Sequence, residues 1–315
     1  MRRMRNNAHS FPWYSGLAIP SLQMLIDKGH ELILFTNPDR PKGRKGELTP
    51  PPTKELAQKH NIPIYQCEKI RCEDGVAALK EFAPELMVTA AFGQILSAEN
   101  LAIPKYGCIN VHGSLLPKLR GAAPIQWSII NGDKVTGVTT MLTDVGLDTG
   151  DILLKRETEI GENETAGELF DRLAVMGAEL LDETIQALLE GKLEPVPQDH
   201  EAATKCGMIK KEMGRLDFSV TAQQIHDKVR GMNPWPAAFT SIDGADVKIW
   251  ETRKTGEKCS GTPGLCVTAD PKKGVFVQTA DELIEITEIQ FPGAKRMSAK
   301  AAVLGHPLEG KVFGE

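Results

Sequence analysis

Apolar and polar positions along this chain recur with two alternating periods, and the order of the periods predicts its fold. Pro20–Lys28 sets Leu22, Leu25 and Ile26 on one side and stops at Gly29, as a helix does. Glu31–Thr36 reads as a buried strand, Thr53–His60 as a helix and Ile62–Tyr65 as a short strand. Gly75–Phe82 then predicts a helix, Leu86–Ala90 and Gly107–His112 predict strands, and Pro124–Ile130 a helix with proline in its first turn. Such strand–helix alternation implies an α/β domain with an open, mostly parallel, Rossmann-like sheet covered on both faces. Val135–Leu142 and Ile152–Thr158 predict an added hairpin-like pair, and Thr165–Glu190 a long amphipathic helix.

The pattern changes after residue 190. The stretch 191–207 holds Pro195, Pro197 and several acidic residues, and reads as a linker. One helix, Ala222–Gly231, is followed by five β-rich runs: Phe239–Ile242, Val247–Glu251, Gly264–Thr268, Gly274–Thr279 and Leu283–Gln290. Turn residues separate them, as in a small OB-like β-barrel. The expected division is therefore a catalytic domain over 1–190 and a barrel domain over 208–315, a partition that a length of 315 residues accommodates.

Composition narrows the function classes. The net charge is −5, which argues against a protein coated in positive charge for bulk nucleic-acid binding. No apolar run has the roughly 20 residues a membrane span needs, so the expected location is the cytoplasm. The six cysteines, at 67, 72, 108, 206, 259 and 266, form no CxxC pair and read as reduced thiols. The seven histidines lack metal-ligand spacing, so no metal is expected. No long apolar helix face is left over for a partner copy, and the chain is expected to be a monomer.

Candidate chemistry concentrates between Cys108 and Asp151. Asn110 and His112 share a face of one strand by period-two alternation, and Gly113 opens a turn at its carboxyl end. Open α/β sheets bind ligands there. Asp148 lies between Gly146 and Gly150 in a loop that can fold back toward His112. An Asn amide and an imidazolium can stabilise an oxyanion, and a carboxylate can orient the imidazole and relay a proton. On residue types alone, such residues are more often turn or cap formers.

The surrounding residues resemble a known signature. Asn110-Val111-His112, Ser114-Leu115-Leu116-Pro117, Arg120-Gly121 and the later Asp148-Thr149-Gly150 are similar to the motif of folate-dependent formyltransferases. Thr36 to Arg44, Ala91 to Leu96, Asn233 to Pro236, and the ending Met297-Ser298-Ala299 through Gly305-His306-Pro307 further resemble the methionyl-tRNA formyltransferase family, from about Ala18 onward. The resemblance implies a formyltransferase fold, 10-formyltetrahydrofolate as formyl donor and methionyl initiator tRNA as acceptor. It implies Asn110, His112 and Asp148 as catalytic residues. It places Ser114, Leu115, Leu116 and Pro117 along the tetrahydrofolate, and Phe92, Gly93 and Ile95 near its pterin. It assigns Arg40, Lys42, Arg44 and Lys45 to the tRNA acceptor stem, with Lys210, Lys211, Arg230 and Lys248 as further candidates for phosphate contacts. Lys45-Gly46-Glu47 departs from the family's Gly-Lys-Lys, and the acidic Glu47 weakens the local positive field.

The opening also departs. Residues 7–17, NAHSFPWYSGL, contain Pro12 and no β-branched run, and do not make the first buried strand such a family begins with. Degenerate codons read one nucleotide later recover Met-Arg-Ile-Val-Phe and then Gly-Thr-Pro-Asp. The expectation is a single missing nucleotide near the codons for Gly16 and Leu17; an unshifted reading on resequencing removes it. Two other functions stay open at this stage. One is formyl transfer to, or hydrolysis for, a small amine; the other is RNA binding on a catalytically impaired scaffold.

Overall fold

Helix α1 (Ala18–Asp27) runs on from a 3-10 turn at Tyr14–Leu17 and ends at Gly29, whose φ of +75° suits glycine. The computed structural model describes residues 14–42 and 46–315. Of the expected frame-shifted opening at 7–17, residues 7–13 therefore lie outside the described residues. Strand β1 (Leu34–Thr36) follows, then a hairpin of β2 (Arg40–Lys42) and β3 (Glu47–Thr49), helix α2 (Pro52–Lys59) and strand β4 (Ile64–Gln66). Next come α3 (Glu73–Phe82), β5 (Met87–Ala90), α4 (Ala98–Leu101) and β6 (Cys108–His112). After the two-residue β7 (Arg120–Gly121) come α5 (Pro124–Ile130), β8 (Val135–Leu142), β9 (Ile152–Glu159), α6 (Ala166–Leu189) and the short β10 (Lys205–Cys206).

The ladders are parallel where helices intervene. β1 pairs with β4, with Leu34 opposite Ile64, and β5 pairs with β6, with Met87 opposite Cys108. β8 joins β6 antiparallel, His112 facing Thr139, and β9 lies beyond it. The expected strand Glu31–Thr36 is laddered over Leu34–Thr36 only. Pro63, just before β4, accepts from Leu34 N–H but has no N–H of its own to extend the ladder. Among the described residues β1 and β5 share no ladder. Their side chains nevertheless meet on one core: Phe35 and Met87 both pack on Ile70, Leu79, Leu96 and Cys108. Gln94 ties the strand ends together, donating to Asn37 Oδ1 (2.8 Å) and Cys67 O (3.0 Å) and accepting from Ile70 N–H (2.7 Å).

Helix α6 covers β6. It begins at a reciprocal cap between Thr165 and Glu168 and buries Phe170, Leu173, Ala174, Leu181 and Ile185 on one face. A Cβ on Gly177 would stand 2.9 Å from Val111 Cγ1, so this glycine lets the helix lie close on β6. Ile109 and Val111 are buried at 0% and 2% exposure, which seats the strand from below.

The chain divides into two compact units. The first comprises the chain to Arg120 with 137–158 and 170–205; the second comprises 121–136, 159–169 and 206–315. The stretch expected as a linker is bound to the first unit: Val196 exchanges backbone bonds with Ile152, and Gln198 is 5% exposed. Prolines there shape an extended path over the surface, and polar composition hid its contacts. In the second unit, α7 (Ala222–Gly231) starts at a capping box of Thr221 and Gln224. An antiparallel sheet follows: β11 (Ala238–Ile242), β12 (Ala245–Lys258), β13 (Cys266–Asp270), β14 (Gly274–Gln278) and β15 (Glu282–Gln290). Its spatial order is β11-β12-β15-β14-β13, and register shifts along β12 mark bulges, which bend and twist such a strand.

Candidate active site

Strand β6 delivers Asn110 and His112 to the carboxyl end of the parallel pair. Thr89 stands opposite Asn110 in the ladder, and its hydroxyl donates to Asn110 Oδ1 at 3.0 Å. With its oxygen engaged there, the amide keeps its NH2 for another acceptor. His112 is 6% exposed, and its Nε2 lies 3.0 Å from the Leu119 carbonyl. A carbonyl only accepts, so Nε2 carries a hydrogen, and in the neutral ring the lone pair is then on Nδ1. Nδ1 faces Asp148 Oδ2 at 3.8 Å, too far for a direct hydrogen bond and close enough for an ion pair once the ring is protonated.

The Asp148 loop is built from several directions. Asp148 itself has a φ of +52°. The Asp144 carboxylate accepts from Gly146 N–H (2.9 Å) and Thr149 Oγ1 (2.7 Å). A Cβ on Gly150 would stand 1.7 Å from the Leu142 carbonyl, so only glycine closes the loop onto β8. Leu119, whose carbonyl holds His112, has a φ of +58°. Left-handed backbone at two non-glycine residues costs of order 1–3 kcal/mol each, and buried hydrogen bonds offset it.

Thus His112 and Asp148 meet, and Asn110 projects from the same strand two residues earlier. Cys108 shares that strand but is a poor nucleophile, because burial pushes its thiol up to about 11.

The remaining expected positions divide. Leu115, Pro117 and Phe92 are partly exposed, and Gly93 and Ile95 are exposed, Ile95 at 66%. Ser114 and Leu116 are buried and bonded within the protein. The Ser114 hydroxyl donates to the Lys118 carbonyl (2.7 Å), and Leu116, 0% exposed, packs on Met141 and Ile152 while its N–H donates to Thr139 Oγ1 (3.1 Å). Such alternation of inward and outward residues is what a tight loop over a strand imposes.

The basic segment is a hairpin, with Arg40 opposite Thr49 and Lys42 opposite Glu47. Arg40 pairs with Glu68 at 2.5 Å on the surface. Asp39 anchors the hairpin base to Lys54 (2.8 Å) and Gln66 (2.8 Å), and the Lys54 bond holds its carboxyl below the usual range. Arg44 and Lys45 lie outside the described residues, as does the side chain of Lys42. Lys210 and Lys211 are exposed, and Lys248 is exposed above the Trp250 ring at 5.4 Å. Arg230 is not available to a phosphate: its side chain is 5% exposed and bound to Asp227 at 2.6 Å.

Sequence reasoning missed three contributors. Thr89 could have been found from the β5–β6 register. Arg120 was visible as part of a motif without a role. Gln198 carried no signal, sitting between a proline and an aspartate in a polar stretch.

Comparison with known proteins is consistent across the chain. Residues 19–185 match the family model "Formyl transferase", and 208–307 match "Formyl transferase, C-terminal domain". The chain is similar to the methionyl-tRNA formyltransferase of Ruminiclostridium cellulolyticum, 48% identical over 93% of this chain and 94% of that protein. It is 46% identical to that of Bacillus subtilis, over 94% of each. Among solved structures, an N-formyltransferase from Helicobacter canadensis in complex with folinic acid and dTDP-3-aminofucose has a TM-score of 0.64. It is 20% identical and covers 89% of this chain and 96% of that one, which shows the shared fold. From the matches in both halves and the identity over nearly the whole length, the chain belongs to the methionyl-tRNA formyltransferase family.

Proposed function

We propose that the protein transfers the formyl group of 10-formyltetrahydrofolate to the amino group of methionyl initiator tRNA. The observation that carries this is the His112–Asp148 pair beside Asn110 at the carboxyl end of β6, in a chain of this family. The folate fits the surface there. The loop after β5 presents Ile95, exposed at 66%, and the partly exposed Phe92, and a flat pterin ring needs such apolar area. Leu115 and Pro117, partly exposed in the loop after β6, supply further apolar area.

Asn110 donates its amide N–H to the formyl oxygen as negative charge grows on it. His112 Nδ1 takes the proton that the attacking amine loses, since Nε2–H is held by Leu119. The Asp148 carboxylate stabilises the resulting imidazolium across the 3.8 Å gap. His112 then returns the proton to the departing folate nitrogen. The new carbon–nitrogen bond replaces the old one, and no electrons are exchanged with an outside partner.

The tRNA is held, in this reading, by Arg40, Lys42, Arg44 and Lys45 and by Lys210 and Lys211, of which Arg40, Lys210 and Lys211 are exposed. Arg44→Ala should then raise the KM for tRNA more than that for folate; equal effects remove the hairpin from recognition. The acting species is a cytoplasmic monomer. Among the described residues no helix is long and apolar enough to cross a membrane.

The deciding experiment is formyl transfer from 10-formyltetrahydrofolate to methionine-charged initiator tRNA by this chain. Robust transfer supports the reading. Silence with tRNA and turnover with a small amine would replace the acceptor. Binding of tRNA without transfer to any amine would leave only an RNA-binding scaffold. The same assay with the opening read from the shifted frame tells a defect of residues 1–17 from a wrong acceptor.

A further inference from the structure

We infer that Gln198, seated on Arg120, is the positioning residue that sets where the Asp148 carboxylate stands relative to His112. The inference rests on the assignment of Asn110, His112 and Asp148 as the catalytic groups. Asp148 occupies left-handed backbone at φ +52°, which a non-glycine residue keeps only when its surroundings hold it. Gln198 Nε2 reaches into the loop and donates to the carbonyls of Asp148 (2.9 Å) and Gly150 (2.7 Å). Those two contacts fix the carbonyl of Asp148 and that of Gly150, two residues further on.

Arg120 sets the orientation of that amide. Its Nε and Nη2 donate to Gln198 Oε1 at 3.0 and 2.7 Å. A guanidinium only donates, so the amide oxygen must face Arg120 and the NH2 must face the loop. Arg120 is 4% exposed, and its other side-chain bonds go to His200 Nδ1 at 3.3 Å. A buried guanidinium is ordinarily matched by a carboxylate. Here a neutral amide stands in that place, so the charge polarises the amide and strengthens the N–H bonds it gives to the loop. Glutamate would satisfy Arg120 equally and would set oxygen against two carbonyl oxygens.

The same stretch also sets the other half of the pair. Leu119 N–H donates to Thr204 Oγ1 at 2.8 Å, and the Leu119 carbonyl holds His112 Nε2 at 3.0 Å. Residues 198–204 thereby determine the separation between His112 and Asp148 from both sides.

The test uses the full chain with Gln198→Glu and, separately, the double variant Arg120→Met/Gln198→Met. The double variant removes the buried cation together with its amide partner and keeps their volume, so no buried charge is left unpaired. Asp148→Ala is the control. Rates are taken per folded protein, with urea unfolding run beside them. The expected result is a kcat about 10- to 100-fold lower in both, the cost of a small misplacement, with both KM values within about twofold. Gln198→Glu should keep the Arg120 contact while losing both loop bonds, so some stability is lost and the rate is compared per folded protein. A kcat within twofold of normal in either variant overturns the inference, as does a loss that appears only as reduced stability. If Asp148→Ala itself keeps its rate, the assignment of the site fails; if it loses rate while Gln198→Glu does not, only the positioning role fails.

Discussion

Each unit of this protein buries an arginine, and the two are satisfied in different ways. In the second unit, Arg230 meets Asp227 at 2.6 Å and gives its remaining donors to the carbonyls of Gly161 and Glu164. That arrangement is closed: charge meets charge, and every bond ends on structure. In the first unit, Arg120 meets no carboxylate among the described residues and gives its fork to the Gln198 amide, whose far side ends on the Asp148 loop. That arrangement is open at one end, where the chemistry is. A buried ion pair contributes little net stability, but breaking it is costly. A buried cation on a neutral amide instead directs its field along a chain of hydrogen bonds.

The comparison can be broken at several points. The largest effect is expected at the open end. His112→Ala should lower kcat by about 100- to 10,000-fold per folded chain, the range for a lost general base, and cost about 1–3 kcal/mol of stability through the lost Leu119 bond. A near-normal rate would remove His112 from the mechanism. Next is the closed end. Arg230→Ala leaves the Asp227 carboxylate buried alone and should cost about 3–5 kcal/mol in urea unfolding, with the rate per folded chain preserved. A loss under about 1 kcal/mol, as for an exposed pair, would mean that the second unit does not depend on the pair.

A third effect comes from the histidine beside that pair. His226 is 3% exposed, between Thr252 Oγ1 (3.0 Å) and the Glu162 carbonyl (3.2 Å). Burial, with Arg230 nearby, holds its pKa below the ordinary value. The unfolded chain therefore takes up this proton first, at about pH 6.5. Stability from His226 is full above that pH and falls as pH drops toward the lowered folded value, by at most about 1.4 kcal/mol per pH unit. His226→Gln should flatten that part of the pH–stability curve; an unchanged slope would assign it to other groups. The smallest effect is expected from exposed charge. Lys210→Ala and Lys211→Ala should change stability by less than about 0.5 kcal/mol. They should weaken tRNA binding and reduce its salt slope by about one per lost phosphate contact. Salt dependence identical to that of the parent chain would take both lysines out of the interface.

How much of this was readable beforehand differs by residue. Helix α5 and helix α7 fall at the expected bounds, because proline at one start and a threonine cap at the other are local signals. Asn110 and His112 share a strand face because the side-chain period of a strand is two. What the stretch 191–207 lies against was not readable. Prolines and acidic residues mark extended, polar chain, but they do not say what that chain lies against. Arg230 and Lys248 looked alike as cations; one is buried beside Asp227 and the other is exposed on a strand.

The sequence by itself determined the elements, the family and the three groups placed at the centre of the proposed chemistry, since periodicity, caps and motif spacing act over a few residues. The tertiary structure alone decided what each polar group is bound to. Gln198 reaches Asp148 across 50 positions, and Arg120 reaches Gln198 across 78. Contacts at such separation depend on the path of the whole chain and on which groups are left dry when it closes, and no local pattern records either.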